Sequence, residues 1–282
     1  MSIVVTGASG HLGRLIVTEL LAAGADPATV VAGARRPEAV ADLGVQTAVV
    51  DYAKPETLAA AFAGADTVML VSSSEVGQRV PQHQAVIDAA VAAGVARIVY
   101  TSAPHADTSE LVVAPEHRAT EELLRASGLA WTILRNNWYT ENYVGSVQAA
   151  SATGEVIGAA GDGRVASATR ADYAAAAAAV LLGEGHEGKV YELTGDTAWS
   201  FPELAAVIGE LIGREVVYRD LPGEEYVAAL VAAGVPEGGA QFLAASDAGI
   251  KAGLLADATA DLRTLIGRPT TPLADALRAA IA

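Results

Sequence analysis

The sequence predicts an α/β protein built on a doubly wound parallel sheet, with a smaller C-terminal α/β lobe. Three observations carry that reading. An apolar run, Ser2-Ile3-Val4-Val5, enters a glycine turn without a gap. Short β-type runs then alternate with helical patterns through the first 150 residues. Beyond Gly154 the alternation becomes irregular. Regular alternation of strand and helix implies parallel strands joined by right-handed crossovers, with helices on both faces of one sheet.

The elements follow in order. After the first run, residues 12–23 place Leu12, Leu15, Ile16 and Leu20 at helical spacing. A second β-type run, Val30–Ala34, ends in Arg35-Arg36. Further β-type runs lie at 45–50, 67–71, 97–101 and 131–134, separated by helical patterns at 56–62, 82–93 and 116–126. The last two patterns stop at Gly94 and Gly128, where glycine suits the left-handed residue that closes a helix. Residues 1–150 are assigned to the sheet body and 151–282 to the lobe, with part of the later chain returning to the sheet. That later part holds helical runs at 172–182, 202–212 and 224–233, a short strand at Lys189–Leu193, and a terminal helix after Pro272.

Composition limits what such a protein can do. Its 282 residues include no cysteine, which excludes disulfides, thiol nucleophiles and cysteine metal sites. The formal net charge is -15, so nucleic acid is repelled. The apolar stretches are shorter than a membrane span and no basic segment precedes the first one, so a soluble, cytoplasmic protein with no membrane partner is expected.

The first turn reads Thr6-Gly7-Ala8-Ser9-Gly10-His11-Leu12-Gly13. Glycines at 7, 10 and 13 between a strand and a helix let the backbone bend tightly and approach a pyrophosphate, which the free N–H groups of the helix start receive. A dinucleotide is the expected ligand. At the end of the second strand an Asp or Glu would bind the 2′-hydroxyl of NAD, whereas an arginine neutralises a 2′-phosphate. Arg35 therefore predicts NADP(H), with Arg36 solvated because Pro37 turns the chain at once. Ligands in such sheets lie beyond the strand ends, which directs attention to Asp51-Tyr52, Ser72-Ser73-Ser74, Thr101-Ser102 and Arg135-Asn136-Asn137.

The Tyr-x-x-x-Lys pair of ordinary short-chain dehydrogenases is missing. The three lysines are Lys54, Lys189 and Lys251, and no tyrosine stands four residues before any of them. Alcohol dehydrogenation by a lysine-activated phenol is disfavoured, and hydride transfer to an electron-poor acceptor such as a quinone fits. Candidate donors are Ser102, His105, His117, Tyr139, Asn142 and Tyr143, with His117 and Tyr139 as the catalytic candidates. His117 suits a hydrogen-bond or proton donor near neutral pH, and equally a surface histidine at a helix start. The segment Trp138-Tyr139-Thr140-Glu141-Asn142-Tyr143 suits a wall for a flat acceptor, and equally a buried aromatic core. Arg170 either pairs with Asp172 or reaches the cleft.

Several long polar segments resemble one family. They are Thr6 to Gly13, Ser72-Ser73-Ser74-Glu75-Val76-Gly77-Gln78-Arg79, His105-Ala106-Asp107-Thr108-Ser109, Leu134-Arg135-Asn136 with Trp138-Tyr139 and Glu141-Asn142-Tyr143, Gly158-Ala159-Ala160-Gly161-Asp162-Gly163, Ser167 to Ala178, and the stretch from Gly185 to Leu193. The chain resembles the type 2 NAD(P)H:quinone oxidoreductases, NmrA-like atypical short-chain dehydrogenases of Rossmann fold, a group that includes triphenylmethane reductase. The resemblance implies NADPH bound by Thr6 to Leu12, Arg35, Ser72 to Ser74, Thr101, Asn136, Trp138, Tyr139, Asn142, Tyr143 and Arg170. A quinone or other aromatic acceptor would complete the site, with no flavin and no metal. His117 takes the place where related phenylcoumaran reductases hold a catalytic lysine. Pro104 and Asn137 depart from the family pattern and imply a changed acceptor preference. Two alternatives accompany this reading: an NADP(H)-sensing regulator without turnover, and an azo or triphenylmethane dye reductase. A homodimer is compatible with it.

Overall fold

The computed structural model describes residues 1–281. The first half runs β1 (Ile3–Val5), α1 (His11–Ala22), β2 (Val30–Ala34), β3 (Gln46–Val49), α2 (Pro55–Phe62), β4 (Thr67–Leu70), α3 (Arg79–Ala92), β5 (Arg97–Ser102), α4 (Ala114–Ala126) and β6 (Ala130–Asn136). The second half runs α5 (Val144–Thr153), β7 (Glu155–Gly158), β8 (Arg164–Val165), α6 (Arg170–Leu182), β9 (Lys189–Leu193), β10 (Trp199–Ser200), α7 (Phe201–Ile212) and β11 (Val217–Asp220). It closes with α8 (Gly223–Ala232), α9 (Glu237–Lys251), α10 (Asp261–Ile266) and α11 (Leu273–Ile281).

Seven strands form one parallel sheet in the order β3-β2-β1-β4-β5-β6-β9, so the expected doubly wound sheet is present. Alternation along each central strand decides which helices it meets. Ile3, Val5, Met69, Val99 and Leu134 point into a core shared with α1 and α6. Val4, Val68, Leu70, Ile98 and Tyr100 point to the opposite face, against α2, α3 and α4. The strands are buried on both sides and read as continuous apolar runs, as parallel sheets require.

The chain after residue 150 divides between two bodies. α6 packs on α1, and β9 pairs with β6 from Thr132↔Lys189 to Asn136↔Leu193, extending the main sheet. The remainder forms the lobe, where β7 pairs in parallel with β11 and β8 pairs antiparallel with β10. Its core gathers Tyr143, Val147, Trp199, Phe201, Leu204, Ile208 and Ile250. Among the described residues no helix is long and apolar enough to cross a membrane.

The lobe core also buries an acid. Asp247 is 6% exposed, and its Oδ2 accepts the Ala159 N–H at 2.7 Å. Burial pushes its carboxyl up to about 6, against the Ala159 bond, with Asp220 nearby adding to the rise. A carboxyl raised in the folded state holds its proton longer there than in the unfolded chain. Its contribution to stability is therefore present at low pH and lost as pH rises from about 4 through about 6. Asp247→Asn keeps the acceptor without the charge. It should raise the melting temperature at pH 7.5, corresponding to a relief of about 1–3 kcal/mol, and leave it nearly unchanged at about pH 4. Thermal unfolding at the two pH values checks this; an equal change at both contradicts it.

Candidate active site

The strand ends converge on one cleft of about 840 Å³ that runs between the sheet and the lobe. At its head the glycine turn is fixed by geometry that only glycine permits. Gly7 sits at φ +62°, and a Cβ on Gly13 would lie 2.3 Å from the Gly7 carbonyl oxygen, so α1 starts tight against the turn. Gly10 is the helix N-cap and supplies no side-chain cap, which leaves the first N–H groups of α1 to a ligand. Behind the turn, Thr6 Oγ1 bonds the Met69 carbonyl at 3.0 Å and meets the Tyr52 hydroxyl at 2.5 Å, while Tyr52 donates to the Val71 carbonyl. Thr6 and Tyr52 thus tie the ends of β1, β3 and β4 together.

Arg35, at the end of β2, lies at the cleft edge with its side chain 73% exposed. Its Nη1 is 3.5 Å from Glu75 Oε1, on the loop after β4. That loop carries Ser72, Ser73 and Ser74, and the Ser73 peptide is gripped from both sides. Arg79 Nε donates to its carbonyl at 2.9 Å, and its N–H donates to His83 Nε2 at 3.0 Å. Because Nε2 accepts, the His83 proton sits on Nδ1 and goes to Thr120 Oγ1 at 3.0 Å. Burial, with the Arg79 charge beside it, pulls His83 down to about 3, so it stays a neutral acceptor. Thr101 Oγ1 accepts the Ser72 N–H at 2.9 Å.

Arg170, the first residue of α6, does not pair with Asp172. Asp172 is buried and taken by Arg268 at 2.7 Å and by Thr271, and it faces away. Arg170 instead lies over the Tyr139 ring at 4.4 Å, donates to Asn142 Oδ1 at 3.0 Å and meets Glu141 at 3.4 Å, with its guanidinium on the cleft.

Most of the residues singled out from sequence line this cleft: Gly7, Ser9 to Leu12, Arg35, Ser72 to Ser74, His117, Asn136, Trp138, Tyr139, Asn142 and Arg170. Four do not. Thr6, Ala8 and Thr101 stand behind it as supports. Tyr143 turns into the lobe core, edge-on to Trp199 at 4.9 Å and to Phe201 at 5.8 Å. Residues 140–143 form a 3-10 turn, in which positions four apart point about 120° apart, so Tyr139 and Tyr143 cannot share a face. His105 is likewise outside the cleft, 3.5 Å from Glu192 and 3.2 Å from Asp257.

The sequence reading missed Arg79, Gln82, Leu111, Val112, Val113, Phe242, Ser246 and Leu255, which also line the cleft. Arg79 carried a signal, as the one basic residue following the serine run. Phe242 and Ser246 carried none, because α9 opens on Glu237-Gly238-Gly239 and reads as loop.

Two donors expected from sequence change character. Ser102 Oγ gives its proton to Glu121 Oε1 at 2.7 Å and therefore offers the cleft only lone pairs. His117 is 5% exposed with Nδ1 2.6 Å from the Tyr100 hydroxyl, and burial, with Arg79 and His83 nearby, holds its pKa well below the ordinary value. It is a neutral imidazole, not a source of an ionic proton at neutral pH.

The residues fit a dinucleotide. The uncapped helix start and the close glycine turn form an anion cradle, and two buried acceptors, Asn136 Oδ1 and Gln82 Oε1, have no partner within the protein. Comparison with known proteins agrees: residues 7–184 match the NAD(P)H-binding family, and the chain belongs to it. Within that class it is 49% identical to quinone oxidoreductase 2 of Escherichia coli K12, over 98% of this chain and 97% of that protein. It superposes with TM-score 0.95 on the E. coli NADPH-dependent quinone oxidoreductase complexed with NADPH, at 48% identity, covering 99% of this chain and 100% of that one. Citrobacter triphenylmethane reductase complexed with NADP(H) superposes equally well, TM-score 0.95, at 38% identity over 99% of this chain and 100% of that one. The resemblance drawn from the sequence is borne out.

His83→Leu removes the acceptor for the Ser73 N–H and leaves the loop held by Arg79 alone. Dinucleotide binding should weaken by roughly tenfold, the equivalent of one lost buried hydrogen bond, with the far-ultraviolet spectrum unchanged. Titration of reduced dinucleotide fluorescence measures it; unchanged affinity contradicts the role given to His83.

Proposed function

We propose that the protein is an NADPH-dependent oxidoreductase that reduces a quinone, or a similarly flat conjugated acceptor, by direct hydride transfer. The observation that carries this reading is the continuity of the cleft. One end holds the glycine turn and Arg35; the other is walled by Leu111, Val113, Trp138, Phe242 and Leu255, an apolar surface suited to an uncharged ring. The E. coli quinone oxidoreductase and the Citrobacter triphenylmethane reductase, which act on flat conjugated acceptors by name, support it.

Bound NADPH supplies the hydride, and reduction of a quinone to its hydroquinone takes up that hydride and one proton. The chain binds, orients and excludes water. The N–H groups at the start of α1 receive the pyrophosphate, and Arg35 exchanges its weak pairing with Glu75 for the 2′-phosphate. Asn136 Oδ1 and Ser102 Oγ offer acceptors, the first to an amide N–H. The apolar wall keeps the acceptor ring dry, which strengthens any hydrogen bond made to its oxygens. His117 and Tyr139 are the neutral donors on the cleft, and solvent completes the protonation.

Nothing here can act as the lysine-activated phenol of alcohol dehydrogenases. On the relevant face of α4 the residues four apart are His117 and Glu121, and Glu121 is fully buried and tied to Arg135 at 2.7 Å. A quinone needs no such group, because it is already electron-poor.

Purified protein should oxidise NADPH only when a simple benzoquinone is added, and should do so faster than it oxidises NADH. Tight NADPH binding with no turnover on benzoquinone or a triphenylmethane dye would overturn the reading in favour of a dinucleotide sensor. Arg35→Ala should raise the KM for NADPH roughly tenfold while sparing NADH, from the loss of one charge-assisted contact. Equal loss with both would remove Arg35 from the 2′-phosphate.

A further inference from the structure

We propose that Tyr100 holds His117 in its neutral Nε2–H tautomer, so that His117 presents one fixed hydrogen-bond donor to the acceptor's oxygen in the cleft. The inference rests on the quinone-reducing reading above, and it makes Tyr100 a positioning residue and His117 a catalytic one.

Proton bookkeeping behind the cleft leads to this. Tyr100 is fully buried between the sheet and helices α3 and α4, and its hydroxyl lies 2.6 Å from His117 Nδ1. Burial raises its pKa, so it is a phenol with one proton to place. The neighbouring hydroxyl, Thr120 Oγ1, donates to the Glu116 carbonyl at 2.9 Å and accepts from His83 Nδ1 at 3.0 Å, so it has no proton to give Tyr100. His83 cannot reverse this chain, because its Nε2 accepts the Ser73 N–H. The bond to His117 Nδ1 is the one side-chain hydrogen bond that the Tyr100 hydroxyl makes among the described residues, which assigns the Tyr100 proton to Nδ1 and leaves the proton of the neutral imidazole on Nε2.

The other edge of the ring faces the cleft. His117 lines it while Tyr100 does not, and among the described residues no group bonds Nε2. The two hydroxyls at the end of β5 are spent, since Ser102 donates to Glu121 and Thr101 serves Ser72, which leaves the Tyr139 phenol as the other neutral donor on the lining. A donor held in one orientation stabilises charge that develops on an acceptor oxygen without reorganising, which is where such groups have most effect. The charged groups around the pair are Arg79 on α3 and Glu116 and Glu121 on α4, with His83 as the other titratable ring. Arg79 is paired with Glu116 at 3.2 Å and Glu121 with Arg135 at 2.7 Å, so each of these charges already has a partner other than His117.

Nitrogen-15 NMR of histidine-labelled protein tests this directly, since the chain has only five histidines. The His117 signals, assigned by their loss in His117→Phe, should report protonated Nε2 and bare Nδ1, unchanged from pH 6 to pH 8.5, with no acceptor or turnover needed. In Tyr100→Phe that fixed signature should give way to a tautomer mixture, and kcat with benzoquinone should fall roughly tenfold while the KM for NADPH holds. His117→Gln, which keeps a neutral N–H donor, should retain activity within about threefold, and His117→Phe should lose more than tenfold. A proton on Nδ1 in the wild type overturns the proposal, as does an unaltered tautomer or kcat in Tyr100→Phe. If the wild type has the predicted tautomer and turns over no quinone, the functional reading fails and the positioning by Tyr100 stands.

Discussion

The floor of the cleft depends on one buried ion pair. Glu121 on α4 and Arg135 at the end of β6 meet through two parallel bonds, at 2.9 and 2.7 Å, with 0% and 4% of each residue exposed. Arg135 also reaches Asp107 at 2.9 Å and Glu192 at 2.8 Å, and Ser102 closes on Glu121. A single guanidinium thereby joins β5, β6, β9, α4 and the loop after β5. Burial works against its charge, but the bonds to Glu121 and Glu192 outweigh that and raise its pKa. Loss of either partner would strand a buried charge, at a cost of about 3–5 kcal/mol. The same network holds His105 at φ +46°, the one non-glycine residue in the left-handed region among the described residues, through its N–H to Glu192.

That network also decides the chemistry left to the cleft. Glu121 stands where a lysine would lie four residues after a catalytic phenol, and its carboxylate takes the Ser102 proton. Arg79 and Arg170 add positive charge to the lining of a protein whose formal net charge is -15. Both are paired, with Glu116 and Glu141, so they are held in place before any ligand arrives. Arg35, exposed and only loosely held at 3.5 Å, is the arginine free to change partner. The result is a cleft whose glycine-turn head is polar and whose lining toward the lobe is apolar, with Leu111, Val113, Trp138, Phe242 and Leu255.

Much of the fold was legible because apolar periodicity and glycine placement agree in the first 136 residues. Every strand of that half was found, and the glycine turn and Arg35 fell at the strand ends where the topology puts ligands. The lobe was harder. β8 and β10 are two residues long and carry no alternation, and α5 has almost no amphipathic face. Pairing across space, not local pattern, makes them. Tyr143 illustrates the same limit within the site: only the 3-10 turn at 140–143 sends it to the lobe core while Tyr139 stays on the cleft. His117 was found by position, but its neutral state follows from burial and from Arg79 and His83 nearby, which no spacing rule reveals.

The most direct test of the account is a single-turnover experiment with protein free of flavin absorbance. It mixes the NADPH-bound protein with one equivalent of benzoquinone, using NADPH deuterated at one or the other face of nicotinamide C4. Direct transfer from an oriented dinucleotide predicts one NADPH oxidised per quinone, slowed by deuterium on one face only. Oxidation insensitive to deuterium on either face, or bound NADPH that persists with quinone present, would contradict hydride transfer in this cleft.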